Sequence, residues 1–155
     1  KFVILLVLLL LVTWVPAVLL LVIQVLFAGS FTFLVKNLFL LPAITIFSLI
    51  QVTSVSLAML ALSSLSRSSR YVGVLYAGLI FFSQALFGVV RGITRDTSLA
   101  WLSVTFDLQQ IGDVVFRVPP RFHMPVWAAF AVILLLIAAS AFVLDRRVRG
   151  IEVVS

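Results

Sequence analysis

The sequence of 155 residues contains little charge and no cysteine. Only 10% of its residues are charged and 64% are hydrophobic, whereas an ordinary soluble domain has about 25% charged and 45–50% apolar residues. A soluble globule of this length could not bury so much apolar surface, because small proteins leave a large share of their surface exposed. The lack of cysteine excludes disulfide frameworks, thiolate metal sites and cysteine nucleophiles. The composition therefore predicts a membrane protein.

Sequence motifs for nucleotide or metal chemistry are also missing. No GxxxxGK[ST] phosphate loop occurs, and the seven glycines form no dinucleotide-binding pattern. The single histidine, His123, has no acidic neighbour at a spacing typical of a metal site or catalytic dyad. We therefore expect no catalytic residue, metal or cofactor in this chain, and no enzymatic activity of its own. A membrane enzyme would have to use Asp96, Asp107, Asp113 and His123, whose spacings specify no site.

Four stretches are long and apolar enough to cross a bilayer, which takes about 20 residues. They span about residues 2–27, 38–62, 72–90 and 125–144. Only helices and closed barrels satisfy their backbone groups in lipid, and the alternating pattern of a barrel is absent. The sequence predicts an all-α, polytopic helical bundle that forms one transmembrane domain, with Pro16 kinking its first helix.

The long connection 91–124 contains a second kind of helix signal. Apolar residues recur in it at alternating three- and four-residue spacing, which is typical of an amphipathic helix over Ser98–Phe116. They are Trp101, Val104, Leu108, Ile111 and Val115. Ser98 is the expected N-cap of this helix. Two placements remain open: the helix lies flat in the membrane interface, or it re-enters the bundle. Asp107 and Asp113 argue against full exposure to lipid.

The positions of Lys and Arg predict the orientation. Four crossings place both ends of the chain on one side with the basic segment 63–70, and the connection 91–124 with Lys36 on the other. Cytoplasmic loops are enriched in Lys and Arg, and short loops weigh most. The denser clusters are Arg67 with Arg70, and the basic residues of the tail 145–155. Both ends are therefore predicted to be cytoplasmic. The net charge of +6 follows this orientation pattern and does not predict nucleic-acid binding.

No Asp, Glu, His, Lys or Arg residue occurs within the four predicted spans. This disfavours ion-coupled transport, because membrane-embedded Asp, Glu or His side chains normally carry the coupling ion. Uncharged polar residues do occur there, and those near the middle of the spans include Gln51, Thr53, Ser83 and Gln84. Such residues most often hydrogen-bond one helix to another. Lining of a translocation path is the alternative interpretation.

The order of features resembles a known family. The short basic loop in LALSSLSRSSR, the words DLQQIGD and RRVRGIEVV, and the double proline that ends the long loop are similar to the C-terminal part of permease subunits of type-two bacterial ABC exporters. The resemblance covers nearly the whole chain. It implies that the four spans are the last four of six helices, and that two further helices precede Lys1.

The resemblance also implies a function and partners. The segment Ser63, Ser64, Leu65, Ser66, Arg67, Ser68, Ser69 and Arg70 would be the loop that contacts a separate ATP-binding cassette ATPase subunit. The chain would form part of a translocation path with a second permease half, surrounded by lipids of the bacterial plasma membrane. A non-transporting assembly subunit of a membrane complex is the alternative expectation. Substrate identity is not predicted, since the polar residues suit lipids, peptides, drugs or ions equally well.

Overall fold

The computed structural model describes residues 2–28, 35, 38–66 and 69–152, with backbone only at 28, 69–70 and 147–152. Most of these residues are helical, and none of them forms a strand. The elements are α1 (Phe2–Ala28), α2 (Leu40–Leu65), α3 (Ser69–Thr94), a 3₁₀ helix η1 (Ser98–Leu102), α4 (Val104–Val115) and α5 (Val126–Glu152). Within the described residues, α1, α2, α3 and α5 are each long and apolar enough to cross a membrane. The predictions of an all-helical fold and of four potential membrane spans are confirmed for the described residues.

The spanning helices extend further than the sequence predicted. α2 continues to Leu65 and α3 begins at Ser69, so the basic connection is shorter than the predicted segment 63–70. α5 runs on to Glu152, into the predicted tail. The serines that end α2 are compatible with helix because Ser64 Oγ donates a hydrogen bond to the Ala61 carbonyl at 2.7 Å. Helix therefore persists beyond the point at which apolar sequence stops.

The helices α2 and α5 form the centre of the bundle, and α1 lies at its edge. α2 packs against every other α-helix, whereas α1 contacts α2 alone among the described helices. The indole Nε1 of Trp14 on α1 donates a hydrogen bond to Thr45 Oγ1 on α2 at 3.1 Å. The helix α1 continues through Pro16. Its remaining surface is largely apolar, as is expected of a helix that faces lipid, although Gln24 is also exposed.

One end of the bundle is closed by the segment between α3 and α5. We call it the cap end: α2 begins there at Leu40, α3 ends there at Thr94 and α5 begins there at Val126. The Arg117 guanidinium lies 5.1 Å from the centre of the Phe39 ring, which fixes the loop against the start of α2. The loop and the start of α2 therefore lie at the same end of the molecule.

The helix α4 lies inside the cap end and not across its surface. It packs against α2, α3 and α5. The Phe47 and Phe87 rings that it meets belong to residues seven positions from the cap-end termini of α2 and α3, which is about 10 Å along a helix. Ile111 shares a buried cluster with Phe87, Ala129 and Ile133. This packing draws a polar connection into the bundle.

The prediction of one continuous helix over Ser98–Phe116, with Ser98 as its N-cap, is wrong in two respects. The chain forms η1 and α4 as separate helices, because Ser103 between them has the extended backbone angles φ −113° and ψ 114°. Ser98 is not the N-cap: Thr97 holds that position, and Asp96 Oδ1 accepts the backbone N–H groups of Thr97 and Ser98. A hydrogen bond with the Ser98 side chain, together with these two backbone hydrogen bonds, lowers the pKa of Asp96.

Candidate functional site at the cap end

Three polar residues of α4 are among its most buried residues. Asp107 is 0% exposed, Gln110 1% and Asp113 5%. An amphipathic surface helix would turn these side chains to water, yet here its polar side chains are covered by protein. The apolar residues of the predicted stripe are divided, because Ile111 is buried whereas Trp101 on η1 is 39% exposed. The polar face of α4 is therefore the feature that requires explanation.

Asp113 is a buried carboxylate with partners. Its Oδ2 accepts the backbone N–H of Arg121 at 3.2 Å, and its Oδ1 lies 3.5 Å from the Arg121 Nε. The Arg121 side chain is 64% exposed, so water screens the ion pair from one side. Asp113 thus ties the C-terminal end of α4 to the loop that leads into α5.

Asp107 has no such partner. Neither of its carboxylate oxygens has a hydrogen-bond partner within the described residues. Its backbone N–H donates to the Ser103 carbonyl at 3.0 Å, which fixes the first turn of α4 but leaves the side chain unsatisfied. Burial raises the pKa of the Asp107 carboxyl to about 8, because desolvation disfavours the charged form. Asp107 is therefore mostly neutral at pH 7.

Two nearby residues, the N-cap residue of α4 and a residue of its second turn, share this condition. Ser103 Oγ and Gln110 Oε1 are buried and also lack partners in the described part of the chain. The Gln110 amide Nε2 does have one, since it donates to the Met124 carbonyl at 3.5 Å. Asp107 and Gln110 are three residues apart on one face of α4, and Ser103 is the N-cap residue four positions before Asp107. We call these three residues the α4 oxygen cluster.

The four central polar residues predicted from the spans do not converge on one site. Gln84 Nε2 on α3 donates to Thr105 Oγ1 on α4 at 3.0 Å, and Ser83 Oγ donates to the Ile80 carbonyl of its own helix at 2.9 Å. Thr53 lines a largely apolar cleft of about 370 Å³ between α2 and α5, and Gln51 is half-buried on α2. Gln84 thus joins two helices, while Thr53 faces a cleft.

The predicted ATPase-contacting segment lies at the end opposite to the cap. Ser63, Ser64 and Leu65 form the last turn of α2, Ser66 follows as its C-cap, and Ser69 and Arg70 open α3. Arg67 and Ser68 lie outside the described residues, as do Lys1 and Lys36 from the charge analysis. The segment therefore connects two potential spans, α2 and α3.

Sequence analysis did not identify the α4 oxygen cluster. The available signal was the placement of Asp107, Gln110 and Asp113 at three-residue intervals within a predicted helix, which groups them on one side of it. Periodicity alone assigns such a side to water, because it carries no information about a surrounding bundle. The absence of Asp, Glu, His, Lys and Arg residues holds for the predicted spans, but the loop brings two carboxylates into the interior of the bundle.

No family model, curated protein or solved structure matches the chain. The described residues contain no group of three or more His, Cys, Asp or Glu side chains placed to hold a metal ion. The functional assignment therefore depends on the membrane fold, the sequence resemblance and the cap end.

Proposed function

We propose that this chain is a transmembrane permease subunit of an ATP-driven exporter, and that it forms part of the translocation path. The potential spans α1, α2, α3 and α5 supply the membrane domain. A separate subunit would bind and hydrolyse ATP, since the sequence has no phosphate-binding loop. A second permease half would complete the path, and both ends of the chain would be in the cytoplasm of a bacterial cell.

The observation that carries the proposal is the position of α4. A helix with two aspartates and two glutamines lies among three potential spans at one end of the bundle. An exporter needs a closure on the far side of the membrane that opens when the transport cycle demands it. α4 has the location of such a closure, and its buried unpaired polar groups make its packed position costly to maintain.

The segment Ser63–Arg70 has the second property that the proposal requires. It joins α2 to α3, so a force applied to it reaches both helices directly. Through Gln84 and Thr105, α3 is hydrogen-bonded to α4. A motor subunit that binds the basic segment would therefore act on the cap end through the length of α3.

Co-purification tests the proposed partner. The full chain is expressed with an affinity tag in its native bacterium, extracted in mild detergent and analysed for an associated ATP-binding cassette subunit. We expect such a subunit to co-purify, and we expect Arg67→Glu with Arg70→Glu to reduce its yield several-fold. Charge reversal opposes any acidic contact surface, and juxtaposed like charges are strongly unfavourable at interfaces.

The matched control reverses two arginines at the cap end. Arg91 and Arg95 are both exposed, and Arg91→Glu with Arg95→Glu should leave the ATPase yield unchanged. Equal losses from both double variants would indicate general misfolding, and an unchanged yield from the first would contradict the assigned contact.

Single cysteines at Ser68 and Val118 test orientation, because the chain has no native cysteine. Labelling by an impermeant reagent in intact cells should occur at Val118 only.

A structural role in a membrane complex is the second candidate. The hydrogen bonds made by Gln84 and Ser83 favour it, because both side chains are used within the chain and leave less polar surface for a substrate. Purification of a stable complex that contains no ATPase would decide for this role.

A further inference from the structure

The α4 oxygen cluster contains more hydrogen-bond acceptors than donors. Four of its buried oxygens lack partners among the described residues: Ser103 Oγ, Asp107 Oδ1 and Oδ2, and Gln110 Oε1. If Asp107 is ionised, both of its oxygens and the Gln110 oxygen only accept, and the Ser103 hydroxyl supplies the sole proton among the four. One donor cannot satisfy three acceptors. The ionised cluster is therefore unsatisfied.

One added proton changes this balance. A protonated carboxyl is itself a donor, and Asp107 lies four residues after Ser103 and three before Gln110, each of which also has a buried oxygen without a partner. As a carboxylic acid, Asp107 carries no charge and can donate one hydrogen bond as well as accept others. Neutralisation also removes the large cost of burying an unpaired charge.

Charged groups elsewhere do not replace the proton. Within the described residues, η1 and the whole of α2 carry no titratable side chain. Asp113 is paired with Arg121, and Arg117 lies over Phe39. The other charged or titratable groups near the cap end are exposed: Arg91, Arg95, Asp96 and His123. On α5 the first charged residue, Asp145, follows the start of that helix by nineteen positions.

We propose that Ser103, Asp107 and Gln110 form a proton-binding site, in which a neutral Asp107 carboxyl holds α4 inside the cap end. Loss of the proton leaves a charge that is stabilised by water and not by the surrounding helices, so it favours a position of α4 nearer the surface. The proton exchanges with the solvent at the cap end. This inference does not depend on the exporter function, and it applies equally to an assembly subunit.

Infrared spectroscopy of the full chain in lipid nanodiscs tests the site directly. The chain has five acidic side chains, and we expect one of them per chain to give the carbonyl band of a protonated carboxylic acid at pH 7. This band should disappear in Asp107→Asn and persist in Asp113→Asn, the matched variant of the other buried acid. A band that is missing from the wild type at pH 7, or that persists in Asp107→Asn, would overturn the proposal.

A titration of the wild-type chain keeps the test independent of whether the variants fold. The band should fade between pH 7 and pH 9 at the same pH in sodium and in choline buffers. Loss of the band on adding sodium at constant pH would show that the oxygen cluster binds a metal cation, and would overturn the assignment to a proton.

Cysteine labelling measures the movement of α4. A single cysteine at Gln109 should react several-fold faster at pH 9 than at pH 6, beyond the increase seen for the same cysteine in the Asp107→Asn background. The background variant corrects for ionisation of the thiol itself. Equal increases in the two backgrounds would show that α4 keeps its position when Asp107 ionises, and would contradict its role in holding the helix.

Discussion

The helices α1 and α4 reverse the relation between polarity and burial that holds in soluble proteins. The most apolar 18-residue window of α1 contains no buried residue, whereas α4 buries two aspartates and a glutamine. Lipid surrounds the bundle in place of water, so moving an apolar side chain from lipid into the protein gains little free energy. A polar side chain gains more, because it finds hydrogen-bond partners in the protein. In this chain, polarity indicates the interior and apolarity indicates the lipid-facing surface.

The pH dependence of stability has the largest expected effect, and it tests whether α4 buries a neutral Asp107. The pKa of Asp107 is raised to about 8 in the folded chain, against about 3.9 in an unfolded one. Between these values the folded state holds a proton that the unfolded state releases, so the free energy of unfolding falls by about 1.4 kcal/mol per pH unit as pH rises. The loss from pH 5 to pH 8 is about 4 kcal/mol.

Unfolding in mixed detergent micelles at a series of pH values measures this effect. Asp107→Asn removes the titrating group but retains a neutral side chain of similar shape, so its stability should lack this slope. A wild-type stability that stays flat or rises between pH 5 and pH 8 would mean that Asp107 is ionised inside the folded chain. The interior of the cap end would then tolerate a charge.

Truncation of one residue type in the two helices is expected to have the next largest effect. Ile111 on α4 is 0% exposed and Ile4 on α1 is 71% exposed. Ile111→Ala should destabilise the chain by about 3 kcal/mol, because it leaves a cavity among packed side chains. Ile4→Ala should change stability by less than about 0.5 kcal/mol, as is usual for exposed sites. Similar losses at both positions, measured by the same unfolding assay, would show that α1 is packed against protein.

The sequence was sufficient to predict the potential spans, but not which of them is central. α1 and α2 were both recognisable from length and apolarity. Yet α2 buries 39% of its most apolar window and α1 none of it. Small and polar residues such as Ser48, Ser54 and Ser56 distinguish α2, because they allow close approach between helices. Such residues also occur elsewhere in this chain, so their meaning becomes clear only once the neighbouring helices are known.

Prediction of the candidate site failed for a related physical reason. Helical periodicity correctly indicated a helix around Ile111, but the burial of Asp107 depends on contacts with α2, α3 and α5. The break at Ser103 was equally hidden, because serine is compatible with helix and with extended backbone. Local sequence therefore specified the helix, while its environment depended on the assembled bundle.

Added side-chain volume at a single glycine tests how closely α4 packs against α2. A Cβ atom at Gly112 on α4 would lie 3.1 Å from the Phe47 ring of α2, whereas one at Gly88 on α3 would meet nothing within 4 Å. Gly112→Leu should therefore destabilise the chain by about 1–3 kcal/mol, the usual range for extra volume in a packed core. Gly88→Leu should be neutral or stabilising, since leucine favours helix over glycine. A tolerated Gly112→Leu would indicate that α4 is not held against α2.

The smallest effect is expected where α4 meets water. Arg121→Gln removes the guanidinium from Asp113, but the backbone N–H of residue 121 still donates to the carboxylate. Water screens the pair from the exposed Arg121 side, and solvent-screened pairs contribute about 0–1 kcal/mol. The variant should therefore lose less than about 1 kcal/mol in the unfolding assay, and added salt should reduce the difference further. Asp113→Asn leaves Arg121 exposed to water and serves as the reciprocal variant. A loss from Arg121→Gln as large as that from Ile111→Ala would mean that the buried Asp113 carboxylate needs the Arg121 cation. The packing of α4 would then require neutralisation of two carboxylates, and not of Asp107 alone.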